Sequence, residues 1–127
     1  MKSPLRTLDF YCIIIGALLL VQGIYNLLDP PFLGVFTSNP LHAVIHVLLG
    51  ITGIWTGLRG GAQVYALFLG ILLLTLGISY FVAPLNEVLV NLFNVNAPVA
   101  WLNIIIGGVS LLVVVLGKKL ASRFSVQ

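Results

Sequence analysis

The chain has 127 residues, of which 60% are hydrophobic and only 7% are charged, and its mean hydropathy is +1.16. Soluble domains usually carry about 25% charged residues, so this composition excludes a water-soluble globular protein and indicates a lipid environment. The net charge of +3 comes from dispersed bases that form no continuous patch, which argues against nucleic-acid binding. Cys12 is the single cysteine, so an intramolecular disulfide is excluded.

Four apolar segments are each long enough to cross a bilayer as a helix, which takes about 20 residues. They run over about 10–28, 41–58, 62–82 and 98–116. We therefore predict an all-α integral membrane protein with a single four-helix transmembrane domain over residues 1–127. The first segment has a basic start like a signal peptide, but its length and the lack of a clean cleavage site predict a retained span.

Every lysine and arginine lies on one side of the predicted spans: Lys2, Arg6, Arg59, Lys118, Lys119 and Arg123. The loops on the other side, 29–40 and 83–97, contain acids but no base. Anionic lipid and the membrane potential hold cationic flanks on the cytoplasmic side. We therefore predict that both termini are cytoplasmic and that these two loops lie outside.

The two halves of the chain resemble each other. With an offset of 54 residues, "GALLL" at 16–20 aligns with "GILLL" at 70–74, and with an offset of 57, "HVLLG" at 46–50 aligns with "NIIIG" at 103–107. Each half contains two spans, so both halves should have the same orientation about an axis along the membrane normal. The predicted repeats of this duplicated hairpin run over about 10–58 and about 62–117.

Glycines recur at helical spacing in all four spans. In lipid, apolar burial contributes little to helix association, and close backbone approach at small residues supplies the packing instead. We therefore expect a tight four-helix bundle. The glycines expected at its helix contacts are Gly16, Gly23, Gly50, Gly53, Gly70, Gly77 and Gly107.

The outer loop at 83–97 carries an amphipathic pattern. Its apolar residues follow helical spacing at positions 85, 88, 89, 92 and 93, while Asn86, Glu87 and Asn94 lie mainly on the opposite face. This pattern predicts a short helix lying in the outer interface of the membrane. The alternative is a loop that caps the outer end of the bundle with the same residues.

His42 and His46 are four residues apart and therefore share one face of the second span. One hypothesis makes them ligands of haem iron, chlorophyll magnesium or a transition metal, although zinc would lack a third ligand here. The other hypothesis makes His46 a structural group that hydrogen-bonds Asn103, its counterpart in the second half, because a polar side chain buried in lipid needs a partner. We favour the structural hypothesis and expect no bound metal or cofactor.

Three further polar residues are candidates for the same cluster. Gln22 and Asn26 are four residues apart near the outer end of the first span, and they are placed to join His46 and Asn103. Asn39 precedes the second span and lies within reach of His42.

No catalytic set is visible in the chain. Ser38, His42 and Asp29 can be drawn as a hydrolase triad, but neither a nucleophile elbow nor an oxyanion hole accompanies them. The middle of each span is almost entirely aliphatic, which argues against a proton or ion path. We therefore predict a non-enzymatic protein.

The segment "NPLHAVIHVLLGITGI" at 39–54 resembles the Asn-x-x-His-x-x-x-His-x-x-x-Gly-x-x-Gly signature of small bacterial four-span proteins known as domain of unknown function 4383. The matching positions are Asn39, His42, His46, Gly50 and Gly53. The resemblance implies a four-span architecture in a bacterial inner or thylakoid membrane, and it implies no activity. The family often has a second His-x-x-x-Gly, where this chain has Asn103 before Gly107.

Three hypotheses for function follow. The first is a small accessory or stabilising subunit of a larger photosynthetic or respiratory membrane complex, or a homo-oligomer. The second is a haem-, chlorophyll- or metal-binding protein that uses His46 with support from His42. The third is a protein that binds a small solute or lipid in a cleft between the repeats on the outer side.

Overall fold

The structure is a computed structural model that describes residues 7–29 and 33–124, and of residues 118–124 only the helical backbone. Lys2 and Arg6 therefore lie outside the described residues. The described part is all-helical and contains five helices: α1 (Thr7–Leu28), α2 (Pro40–Arg59), α3 (Ala62–Ser79), α4 (Leu85–Phe93) and α5 (Ala97–Phe124).

Four of these helices are long and apolar enough to cross a membrane, with a mean hydropathy of 1.6–2.5 in their most apolar windows. They confirm the four predicted apolar helices. The third is shorter than predicted, because it ends at Ser79 and the chain then turns over residues 80–84. Pro84 prevents α3 from continuing directly into α4, since proline disfavours a helical conformation in the residue before it, Ala83.

Both ends of α2 have a clear sequence cause. Asn39 caps its start, where the side-chain Oδ1 accepts a hydrogen bond of 2.8 Å from the backbone N–H of His42, and Pro40 occupies the first turn. At the other end, Gly60 and Gly61 have φ values of 117° and 98°, which glycine adopts readily and other residues rarely do. The chain therefore reverses within two residues and starts α3.

The four long helices form two tightly packed pairs. α1 packs mainly against α2, and α3 packs mainly against α5. The two pairs meet through α1–α3, α2–α3 and α1–α5 contacts, while the described parts of α2 and α5 do not touch each other. α2 and α5 therefore lie at opposite corners of the bundle.

Glycines allow the close approach inside each pair. A Cβ atom on Gly16 would lie 2.7 Å from the carbonyl oxygen of Gly50, and one on Gly70 would lie 3.0 Å from that of Gly107. Such distances leave no room for a side chain, as expected of helix packing in lipid. Close contacts of this kind occur at all seven glycines expected at helix contacts. Gly108, by contrast, faces open space.

The two ends of the bundle differ in their packing. We call the end with the Gly60–Gly61 turn the Gly60 end, and the end that carries α4 the α4 end. The apolar core lies toward the Gly60 end, where Cys12, Ala66, Leu69 and Val114 are buried. The polar side chains buried between the helices at the α4 end are Gln22, Asn26, His42, His46 and Asn103.

Candidate functional site

A cavity of about 200 Å³ lies at the α4 end, between α2, α3 and α5 and beneath α4. Its walls are mainly aliphatic and aromatic. Four of the lining residues carry polar side chains: His42, His46, Tyr80 and Asn103. The other lining residues are Ile45, Leu49, Leu72, Leu73, Leu76, Leu89, Phe93, Val95 and Ala100.

The two histidines form a pair in the wall of this cavity. The Nε2 atoms of His42 and His46 are 3.0 Å apart, and the ring planes meet at 88°. Both residues are more than nine-tenths buried, and the Nδ1 atom of each ring has no hydrogen-bond partner. In a neutral pair one Nε2 donates and the other accepts. The remaining nitrogen of each ring, Nδ1, has almost no exposed surface, and the Phe93 backbone approaches the His42 ring.

His46 is paired differently from the sequence prediction. Its Nε2 bonds His42, and its Nδ1 has no partner, so neither ring nitrogen makes the expected bond to Asn103. Asn103 is nevertheless buried and lines the same cavity. The physical reason is that α2 and α5 lie at opposite corners of the bundle, so His46 and Asn103 line different walls of the cavity.

The other predicted polar residues lie around the cavity without lining it. Gln22 and Asn26 are buried on α1, and Asn26 Oδ1 has no hydrogen-bond partner. Neither is among the lining residues, so the structure does not bring them into the cavity with His46. Asn39 accepts a hydrogen bond from the backbone N–H of His42 in the cap of α2, and it thereby fixes the position of His42 in the first turn of that helix.

Two loop segments are tied together above the cavity by side-chain amides and a hydroxyl. Asn39 Nδ2 donates to the carbonyl of Leu92, and Asn96 Nδ2 donates to that of Val35, each at 2.8 Å. Between them, Thr37 Oγ1 donates to the carbonyl of Asn94 at 2.6 Å. Asn94 Nδ2 completes the set by donating to the Ser38 carbonyl at 2.8 Å. We call these four hydrogen bonds the loop clamp.

Helix α4 forms the roof of the cavity. Leu89 is buried on its lower face, and the ring of Phe93 lies 5.9 Å from the ring of His42. The sequence predicted this helix, and the alternative prediction placed the same residues as a cap on the outer end of the bundle, but Tyr80 and the loop clamp were missed. Part of the clamp was detectable, because Asn39 and Asn96 both stand where a helix cap is expected.

The geometry does not assemble the triad that the sequence allowed. His42 Nε2 is occupied by His46, its Nδ1 has no partner, and Ser38 Oγ donates to the Asn39 carbonyl at 3.2 Å. Within residues 7–29 and 33–124, no three His, Cys, Asp or Glu side chains are grouped so as to hold a metal ion.

Comparison with known proteins gives one family match. Residues 9–116 match the family described as "Domain of unknown function (DUF4383)". The chain belongs to this family. No curated protein and no solved structure matches the chain. The family that the segment at 39–54 resembles is thus confirmed, and in this DUF4383 member His42 and His46 line the cavity.

The histidine pair makes a testable prediction about stability. His42→Leu or His46→Leu alone leaves the remaining imidazole without its partner, which costs about 1–3 kcal/mol. Replacing both removes the polar groups together, so the double variant should be more stable than the sum of the two single losses predicts. A double-mutant cycle from unfolding in detergent measures this coupling. Strictly additive losses would show that the pair is not bonded.

Proposed function

We propose that this DUF4383 member is a non-enzymatic integral membrane protein that binds a small, mainly apolar molecule in the cavity at the α4 end. The observation that carries the proposal is an apolar cavity of about 200 Å³ whose few polar lining residues include the buried, mutually bonded His42–His46 pair. Binding pockets are typically apolar concavities with a few placed polar groups. An engineered apolar cavity of about 150 Å³ in another protein binds benzene, so a molecule of one ring is a suitable size.

The size of the cavity also distinguishes the small-molecule hypothesis from the haem or chlorophyll hypothesis. Pockets for drug-sized ligands span roughly 300–1,000 Å³, and a tetrapyrrole is at least of that class. Haem or chlorophyll therefore exceeds this cavity, and both imidazoles are buried away from the lipid-facing surface. This favours the small-molecule hypothesis over the pigment hypothesis for His46.

Binding of 4-fluorophenol, followed by ¹⁹F NMR on the protein in lipid nanodiscs, tests the proposal. We expect a saturable change in the probe signal. Ala100→Leu should abolish it, because Ala100 is buried and lines the cavity, so a larger side chain fills the space. Leu112→Phe is the matched control, since Leu112 is exposed on the lipid-facing side of the same helix. An equal signal in the wild type and Ala100→Leu would place the probe elsewhere.

We further propose that the domain is a duplicated hairpin with a pseudo-twofold axis along the membrane normal. The loop clamp supports this at the α4 end: Asn39 bonds Leu92 while Asn96 bonds Val35, and each donor and each acceptor is related to its counterpart by 57 residues. Each asparagine also caps its own helix, by accepting from His42 N–H and from Val99 N–H.

Tyrosines support the duplication toward the Gly60 end. Tyr11 and Tyr65 are 54 residues apart, and each reaches from the first helix of its own half into the second helix of the other half. Tyr11 bonds the Ser110 hydroxyl, and Tyr65 donates to the Leu49 carbonyl at 2.7 Å. Reciprocal contacts of this kind are the mark of a twofold relation.

We also propose that the α4 end faces outward and that both termini are cytoplasmic. Arg59 lies at the Gly60 end, whereas Asp29 and Glu87 lie toward the α4 end, which agrees with the rule that positive charge stays inside. Phe81 and Trp101 are exposed near α4 with ring centroids 5.2 Å apart, as expected of an aromatic belt with α4 in the interface. Labelling of Asn91→Cys in intact cells by an impermeant thiol reagent tests this orientation.

An accessory role in a larger membrane complex, or homo-oligomerisation, is the second candidate. Large apolar side chains are exposed on every long helix of the described chain, for example Ile14, Leu48, Phe68 and Ile105. Lipid covers such a surface, and so does another membrane-embedded subunit. Purification from the native membrane in mild detergent separates the two, because a monodisperse monomer without partners argues against the subunit role.

A further inference from the structure

We infer that the ligand reaches the cavity from the hydrocarbon of the bilayer, through a gap between α2 and α3, and that it is therefore a neutral molecule dissolved in the membrane. This inference rests on the proposed binding function. The lining residues on this side are all aliphatic and half-buried: Ile45 and Leu49 on α2, and Leu72 and Leu76 on α3. We call these four side chains the mouth.

The gap follows from how the glycines are distributed. Gly50 of α2 packs against α1, while Gly70 and Gly77 of α3 pack against α5. These glycines of α2 and α3 thus pack against other helices, whereas Gly53 of α2, nearer the Gly60 end, packs against Tyr65 of α3. Near the Gly60 end the two helices are held by their short turn and by the bond from Tyr65 to the Leu49 carbonyl. Beyond that bond, toward the α4 end, residues of both helices line the cavity.

A route from water through the α4 end is more tightly closed than the route through the mouth. The loop clamp ties residues 35–39 to residues 92–96 above the cavity. Beneath it, Leu89 of α4 is buried. Opening this end requires that several hydrogen bonds break together, whereas passage through the mouth requires only rotation of aliphatic side chains.

The chemistry of the mouth restricts the class of ligand. A charged group that passes between four aliphatic side chains within the apolar spans meets no partner, and its desolvation is costly. A neutral molecule dissolves in the bilayer first and then moves sideways into the cavity. A hydrogen-bonding group on that molecule matches the few polar side chains among the lining residues, which are His42, His46, Tyr80 and Asn103. Small phenols and alcohols of about one ring in size combine these properties.

The rate at which 4-fluorophenol exchanges in and out of the cavity tests this route. ¹⁹F NMR exchange spectroscopy in phosphatidylcholine nanodiscs gives the rate and the occupancy separately. Leu72→Phe and Ile45→Phe narrow the mouth from either helix, and we expect each to slow both the entry and the exit of the probe several-fold. Two variants are used because a single phenylalanine could fill the cavity instead of narrowing the mouth.

Thr37→Val is the matched variant at the other end. It removes the hydroxyl that donates to the Asn94 carbonyl and keeps a similar shape. We expect its exchange rate to equal that of the wild type. Faster exchange in Thr37→Val with unchanged exchange in both mouth variants would overturn the inference in favour of a route through the α4 end. Absence of saturable binding in the wild type would instead refute the proposed binding function.

Discussion

Gly107→Ala is expected to destabilise the bundle, whereas Gly108→Ala, one residue further along the same helix, should leave it unchanged or slightly more stable. A Cβ on Gly107 would lie 2.6 Å from the backbone nitrogen of Leu74 and 2.9 Å from the carbonyl oxygen of Gly70. Both are backbone atoms, so the helices themselves must separate. Overpacking of this kind typically costs about 1–3 kcal/mol.

Gly108 provides the control, because it lies on the same helix but a side chain there would point into open space. A Cβ there meets nothing within 4 Å, and alanine is a better helix former than glycine by about 0.8–1.0 kcal/mol. The free energy of unfolding of both variants in detergent, measured by denaturant titration, checks the prediction. Equal effects of the two substitutions would mean that α3 and α5 are not in close backbone contact.

The proposed duplication extends this prediction to the first half of the chain. Gly50 aligns with Gly107, and a Cβ on Gly50 would lie 2.6 Å from the Gly16 carbonyl oxygen. Gly50→Ala should therefore cost about as much as Gly107→Ala, within the same range of about 1–3 kcal/mol. A large loss at one position and none at the other would argue against equivalent packing in the two halves.

The helices were predictable from sequence because their causes are local. Twenty-residue apolar runs, glycines at helical spacing and the amphipathic segment at 85–93 each express a property of neighbouring residues. The corresponding helices and glycine contacts are present in the structure. The end of α3 was predicted three residues late because hydropathy does not register a turn before Pro84.

The third sequence hypothesis included a cleft between the two halves, but the lining of the cavity was not predictable in the same way, because it depends on which helices are neighbours. Periodicity placed His42 and His46 on one face, and the structure pairs them on that face. The expected bond from His46 to Asn103 required α2 and α5 to be adjacent. These two helices occupy opposite corners of the bundle, which no local sequence pattern predicts. The empty volume is the consequence of that arrangement together with the roof formed by α4.

The loop clamp was partly predictable from the sequence. The segments "VFTSN" at 35–39 and "LFNVN" at 92–96 align at the same offset of 57 residues, so the equivalence of Asn39 and Asn96 is visible in the sequence. What the alignment does not contain is the exchange of hydrogen bonds between the two segments. That exchange becomes apparent only when the two loops lie side by side at the α4 end.

Asn39→Ala and Asn96→Ala are expected to destabilise the protein by similar amounts, about 1–3 kcal/mol each. Each substitution removes a helix cap, worth about 0.5–2 kcal/mol, and one hydrogen bond of the loop clamp, worth about 0.5–1.5 kcal/mol. Asn91→Ala is the control, because Asn91 is exposed on α4 and surface changes usually stay within about 0.5 kcal/mol. Thermal unfolding in detergent at matched concentration gives the comparison.

Aspartate separates the two roles of each asparagine. Asn39→Asp keeps an oxygen that caps α2, and its negative charge is favourable at a helix N-terminus, but it has no N–H to donate to the Leu92 carbonyl. Its loss should therefore be smaller than that of Asn39→Ala, and the difference between them measures the cap. If Asn39→Asp and Asn96→Asp both retain full wild-type stability, the two asparagine bonds of the clamp contribute no more than the added charge returns at the helix N-terminus, and the roof is held by the other clamp bonds and the apolar contacts of Leu89 and Phe93. If both lose about 1 kcal/mol, the two halves hold each other closed at the α4 end through equivalent bonds.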